Sequence, residues 1–338
     1  MLAEFAFTPS IFDEAVHADR ETWRDQLHDL GSYMFPKTAA WPVMISNLYG
    51  GSWHNTALAM VKAIQDSRAR ILCQNILQNA AMTLVHRPAL GDWPGEEAIA
   101  WGRETITSHG TEPIERIIAC KPAHEVLSQE CRFIRSIDEV HDAGFWNGIS
   151  SQWPQAFKIV DQVQSLRKLC VHSEFLCLIT PYIKGGGDDE TDFALALIKS
   201  TLQRPSEFHR PEIEIHTQGP DNPSSSDFPQ RLNNVVQNVS GSIRSALAAG
   251  QKVRLVLWPR LLDRYLIAGV YTETSDGKRA RSPRWGVAMQ HIARRADDRE
   301  TKPPTSWSLL PKNQLGAEFQ RYCVGGATGH IHASVISA

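Results

Sequence analysis

No stretch of this chain reaches the roughly 18 consecutive apolar residues that a membrane-spanning helix needs. The longest apolar runs, such as Phe175 to Ile183, are the length of a strand. A secretory leader requires an unbroken apolar stretch and a transit peptide avoids acids. The opening of the chain carries Asp13, Glu14, Asp19, Glu21, Asp25 and Asp29 among its apolar positions, so neither is expected, and no membrane partner follows. Cysteine is sparse: six residues, at 73, 120, 131, 170, 177 and 323, none in a Cys-x-x-Cys pair. That excludes a disulfide scaffold and reads as reduced core thiols, with the cytoplasm as the expected compartment. Net charge is almost absent, 35 Lys and Arg against 37 Asp and Glu, or −2. Bulk attraction to a polyanion is therefore excluded, and any nucleic-acid surface has to be a local patch. Internal repeats and low-complexity tracts are missing. So are a Gly-x-Ser-x-Gly elbow, a His-Glu-x-x-His helix, a Gly-x-Gly-x-x-Gly fingerprint and the protein-kinase set, which counts against four large enzyme classes.

What remains is an ordinary globular composition, 42% hydrophobic and 21% charged over 338 residues, enough for two domains or one large one. The ten tryptophans are scattered and read mostly as core. An amphipathic helix is expected from Ser10, which can cap it, to Met34. Strands are expected at Trp41 to Ser46, Met82 to Val85 and Ile114 to Ala119, alternating with helices, and residues 121–170 read as mainly helical. The second half is clearer. Strands at Glu174 to Ile183, Glu212 to Thr217 and Val253 to Trp258 alternate with helices at Asp192 to Leu202 and Leu232 to Ala249. A hairpin turns at Ser275-Asp276-Gly277. This order predicts a mixed α/β protein with partly parallel sheets flanked by helices. The expected division is a helix-rich α/β region over 1–170 and a second α/β region over 171–338, with two related α/β units as one reading of it.

Three constellations carry chemistry. Tyr182, Lys184, Gly185 and Gly186 lie where a strand ends, where ligands gather and where glycine lets a backbone approach phosphate. The same segment also reads as a flexible turn, with Asp188, Asp189 and Glu190 favouring a helix start, or as oxygen ligands for a metal-dependent hydrolase. Lys278, Arg279, Arg281, Arg284, Arg294 and Arg295 form the densest cationic stretch, and Trp285 within it offers base stacking; the competing reading is a solvated hairpin. His216 closes a strand, where an imidazole can act as acid, base or nucleophile. His330-x-His332 with Cys323 is a weaker metal candidate, and no metal or other cofactor is expected.

Thr180-Pro181-Tyr182-Ile183, Leu262-Asp263-Arg264-Tyr265-Leu266, Trp285-Gly286 and His291 give residues 170–320 a resemblance to divergent phospholipase D-like proteins of bacteria. There a strand ending Asp-Pro-Tyr precedes a His-Asp-Arg-Tyr segment. The resemblance implies a phosphodiesterase or nuclease acting through a covalent phospho-histidine, DNA or RNA as ligand, and a place in an anti-phage or mobile-element system. It implies Arg264 on the phosphate, His216 or His291 as nucleophile or acid, and Asp263 beside them. This chain departs from the pattern: the acid is Thr180, the first histidine is Leu262, and no His-x-Lys-x-x-x-x-Asp motif occurs. The alternative is an inactive assembly subunit that binds a companion protein or a second copy of itself.

Overall fold

The computed structural model describes residues 2–290 apart from 38, 96, 155 and 157, and then residues 306–324 and 329–338. The chain is mixed α/β, with one parallel and one mixed sheet flanked by helices, in two compact units, Met1–Ser151 and Gln152–Ala338. Among the described residues no helix is long and apolar enough to cross a membrane.

The first unit runs β1 (Ala3–Phe7), α1 (Arg20–Met34), β2 (Val43–Asn47), the single turn α2 (Leu48–Gly51), α3 (Trp53–Ala63), α4 (Ser67–Ala80), β3 (Leu84–His86), α5 (Ala98–Thr111), β4 (Arg116–Ala119), α6 (Lys121–Leu127) and β5 (Ile134–Ser136). Its five strands are parallel in the order β3-β2-β1-β4-β5, a doubly wound arrangement with β1 in the middle. Helix α1 starts where Asp19 accepts from the Glu21 and Thr22 backbone N–H groups, and it buries Trp23, Leu27, Leu30 and Met34 at helical spacing. The helix expected from Ser10 is therefore two short 3-10 turns first, Pro9–Phe12 and Glu14–Val16. Ser10 does not cap. It is buried, and its hydroxyl meets Thr8 Oγ1 at 3.1 Å and Cys120 Sγ at 3.2 Å.

Strand β1 has no counterpart in the sequence reading, and Glu4 is the reason. A central strand covered on both faces shows no alternation to detect, and a carboxylate in its middle argues against burial. The carboxylate is answered in full. Arg87, the residue after β3, brings Nε to Glu4 Oε1 and Nη2 to Oε2, each at 2.7 Å, and Ser46 of β2 donates at 2.6 Å. The remaining Arg87 nitrogen donates to the Ser108 and Glu112 carbonyls at the end of α5. Both charged side chains are 0% exposed.

The second unit contains β6 (Gln152–Pro154), α7 (Ile159–Ser165), α8 (Arg167–His172), β7 (Phe175–Ile179), α9 (Asp189–Leu202), β8 (Glu212–Gln218), α10 (Phe228–Ala246), β9 (Lys252–Trp258), β10 (Tyr265–Glu273), β11 (Arg279–Met289), β12 (Ser306–Leu309), α11 (Lys312–Tyr322) and β13 (His332–Ser337). Helices α7 and α8 pack on α9, within this unit. The sheet order is β13-β9-β8-β7-β10-β11-β12-β6. The three inner strands β7, β8 and β9 are parallel, and antiparallel strands extend the sheet on both sides. The second strand of the hairpin, expected from Trp285 to Met289, starts at Arg279, so Arg279, Arg281 and Arg284 are strand residues and not loop residues. The ladder slips at Ala268/Gly269, where a Cβ on Gly269 would fall 2.2 Å from the Ser282 carbonyl oxygen.

Arg87→Met leaves the Glu4 carboxylate buried without its cation and is expected to cost about 3–5 kcal/mol in urea unfolding. Glu4→Leu combined with Arg87→Met is expected to recover most of that loss. A loss of under about 1 kcal/mol for the single variant would show that the pair does not hold the sheet.

Candidate functional site

Strands β7, β8 and β9 end side by side, the position outside strand carboxyl ends where open α/β sheets take ligands. Two adjoining clefts lie there. One, of about 460 Å³, is lined by Pro181, Tyr182, Lys184, Gln218, Pro220 and Val235 among others. The other, of about 850 Å³, is lined by Gln218, Asp221, Asn222, Pro259, Arg260 and Leu262. They meet at Gln218.

A buried carboxylate organises the first cleft. Glu190, in the first turn of α9, accepts from the Thr180 hydroxyl, from the Tyr182 backbone N–H at 3.2 Å and from Arg264 Nε at 3.3 Å. Thr180, which stands where the resemblance places an acid, is thus fully buried and serves Glu190. The Arg264 guanidinium lies over the Tyr182 ring, 4.9 Å from its centroid, and Tyr182 is 46% exposed. Arg264 thus holds Tyr182 by a cation–π contact while Glu190 holds Arg264.

The glycine loop serves packing as well as flexibility. Gly185 has φ +91°, and a Cβ there would lie 2.4 Å from the Asn238 backbone carbon, so the loop is pressed directly onto α10. Gly186 and Gly187 also have positive φ but meet nothing. Asp188 caps α9, accepting from the Thr191 N–H at 2.7 Å and its hydroxyl at 2.6 Å. With Asp188 capping and Glu190 bound to Arg264, these acids do not converge on a common metal position. Lys184 is exposed beside Tyr182 and Arg260 is exposed in the second cleft.

His216 stands elsewhere. It is 1% exposed inside the sheet, on the same face of β8 as Glu214. The Trp258 indole N–H donates to His216 Nδ1 at 2.8 Å, and His216 Nε2 meets Glu214 Oε1 at 2.8 Å. Indole nitrogen only donates, so Nδ1 is the acceptor and the proton sits on Nε2. Burial holds the imidazole below its ordinary pKa despite Glu214. Both nitrogens are engaged and neither reaches solvent, a poor position for a nucleophile. Sequence reasoning passed over Glu214 beside it. Its burial raises the carboxyl, but the His216 hydrogen bond and the Arg281 ion pair outweigh that and hold it at about 2.

Cys177, Glu214 and His216 place ligand atoms within 4.8 Å of one another, all buried. A metal on His216 Nε2 would require a proton on Nδ1, facing the Trp258 N–H; two donors cannot share that contact. Arg281 at 2.9 Å and Arg254 at 3.3 Å from Glu214 add positive charge. The cluster reads as a hydrogen-bonded relay and not as a metal centre. Of the weaker metal candidates, Cys323 follows α11 and is a free thiol hydrogen-bonded with the Cys177 thiol, His332 lies in β13, and His330 sits near the Trp258 ring.

The remaining expected residues separate into three groups. Asp263 accepts from Arg321 at 2.9 Å and from the Tyr322 hydroxyl, which ties the segment before β10 to α11. The cationic hairpin lies at the opposite end of the sheet from the clefts. Tyr265 pairs with Ile179 at the carboxyl end of β7, and Glu273, paired with Arg279, is roughly 25 Å further along the ladder. There Lys278 pairs with Asp276, Arg279 with Glu174 and over Tyr271, and Arg281 with Glu212 and Glu214. Arg284 is half-buried, and Trp285 is 3% exposed and unable to stack on a base. His291, Arg294 and Arg295 lie outside the described residues.

No family model matches the chain, and neither the curated proteins nor the solved structures contain a match.

The Glu214 carboxyl titrates lower when folded than its ordinary 4.5, so its contribution to stability is complete above that value and is lost as the pH falls towards about 2. Glu214→Gln is therefore expected to lower stability at neutral pH and to flatten the acid limb of the melting temperature over that window. Parallel acid limbs for the variant and the wild type would remove this role.

Proposed function

We propose that the second unit is a phospholipase D-like nucleic-acid-binding module, and that its binding surface is the pair of clefts at the carboxyl ends of β7, β8 and β9. The observation that carries this reading is the exposed Tyr182 ring clamped by Arg264 next to Lys184, with Arg260 in the adjoining cleft. Aromatic rings beside fixed cations take bases and phosphates respectively. Lys184 and Arg260 line the two clefts against the single acid Asp221, in a chain whose total charge is −2. The element order β7-α9-β8-α10-β9 followed by the β10–β11 hairpin supports the phospholipase D-like resemblance.

The reading is binding in preference to cleavage. Among the described residues neither cleft is lined by histidine, His216 is enclosed, and Leu262, standing where the resemblance places a histidine, is 82% exposed. Phospho-histidine chemistry would need another imidazole at the clefts, which His291 would have to supply.

The test is fluorescence anisotropy with labelled oligonucleotides over a salt series. Affinity is expected to fall steeply with salt, and Lys184→Glu with Arg260→Glu to weaken binding at least about ten-fold and reduce the salt slope by about 1–2. Lys278→Glu, at the far end of the sheet, is expected to leave both unchanged. Absence of binding by the wild type at low salt would remove the reading and leave an assembly subunit whose partner is a protein.

A further inference from the structure

The two clefts repeat one pattern. In the first, the Tyr182 ring, 46% exposed, stands beside exposed Lys184. In the second, the Leu262 side chain, 82% exposed, stands beside exposed Arg260. The clefts share Gln218, so the two apolar-plus-cationic pairs follow one another along the strand ends. Neither apolar side chain has to be where it is for the sake of the core. Leu261, one residue earlier, supplies the buried contact, at 2% exposure. Tyr182 is flanked by buried Pro181 and Ile183. Asp221, the acid lining the second cleft, accepts from Gln218 Nε2 at 3.2 Å.

A double helix has little use for this arrangement. Its base faces are stacked and paired, so it presents phosphates and base edges but no ring face. An unpaired strand presents in each nucleotide one free ring face and one phosphate, the complement of one apolar and one cationic side chain. The Tyr182 ring is also pre-positioned. The Arg264 guanidinium lies over one face of it at 4.9 Å and is itself bonded by Glu190, so stacking a base on the other face costs little side-chain freedom.

Resting on the nucleic-acid reading above, we infer that the ligand is an unpaired strand, two successive nucleotides of which occupy the clefts. One base stacks on Tyr182 with its phosphate at Lys184, and the next packs on Leu262 with its phosphate at Arg260.

The experiment is anisotropy of the full chain with labelled oligothymidine, oligouridine and a blunt duplex of equal length, at one fixed low salt concentration. At least one of the single strands is expected to bind about ten-fold tighter than the duplex. Tyr182→Ala is expected to reduce that affinity about ten-fold, with Tyr182→Phe retaining it and Leu262→Ser reducing it by a smaller factor. Both positions are exposed, so these variants are compatible with folding, which an unchanged melting temperature checks. Equal affinity for duplex and single strands would overturn the inference while leaving the nucleic-acid reading standing, as would wild-type affinity of Tyr182→Ala for single strands. Failure of the wild type to bind any of the three probes would overturn both.

Discussion

A carboxylate carried into the middle of a sheet has to meet a fixed cation there, because an unpaired buried charge costs several kcal/mol and sheet neighbours cannot move to water. Both units are arranged around that requirement. In the first, Glu4 lies in the central strand, and Arg87 reaches it from the end of β3 while donating its other nitrogen to the end of α5. One guanidinium thereby sets the spacing of three elements. In the second, Glu214 lies in the central parallel strand and draws Arg281 and Arg254 onto it, while Glu190 draws Arg264 across the ends of the same strands. Such pairs specify geometry more than they add stability, since each offsets its own desolvation.

The acids decide which arginines are available for function. At the amino ends of the parallel strands, Glu174, Glu212 and Glu214 take Arg279 and Arg281, so these two members of the densest cationic stretch are neutralised by the fold. At the carboxyl ends, Arg264 is bound through Nε alone, and Lys184 and Arg260 stand exposed at the clefts. The polarity of the sheet thus separates a structural set of cations from a set facing a cleft. His216 follows the same logic: a strand-end histidine becomes an interior link once Glu214 and Trp258 occupy its two nitrogens.

Much of the fold was legible. Strands near 174–183, 212–217 and 253–258, with their helices, are seen as β7, β8, β9, α9 and α10 within a few residues, because apolar runs bounded by glycine and polar turns have few other readings. The mixed α/β class followed from that alternation. Among the elements missed were β1, where Glu4 hides a fully buried strand, α4, whose arginines and asparagines dilute an apolar face of Ala69, Cys73, Ile76, Leu77 and Ala80, and the short strands β5 and β6 inside a stretch read as mainly helical. At the site, Tyr182 and Lys184 were legible from their place after a strand. The Glu190 clamp and Arg260 were not, since the one bonds Arg264 across 74 residues and the other belongs to no motif.

By itself the sequence determined the strand and helix alternation, the absence of any long apolar span and the near-zero net charge, all local or summed properties of neighbouring residues. Only the tertiary structure decided which charges cancel. Arg281 and Glu214 are 67 residues apart in the chain and 2.9 Å apart in space, and Trp258 meets His216 across 42 residues. Whether a cation or an imidazole is available to a ligand depends on partners that the sheet brings together from distant segments, and no spacing along the chain encodes that.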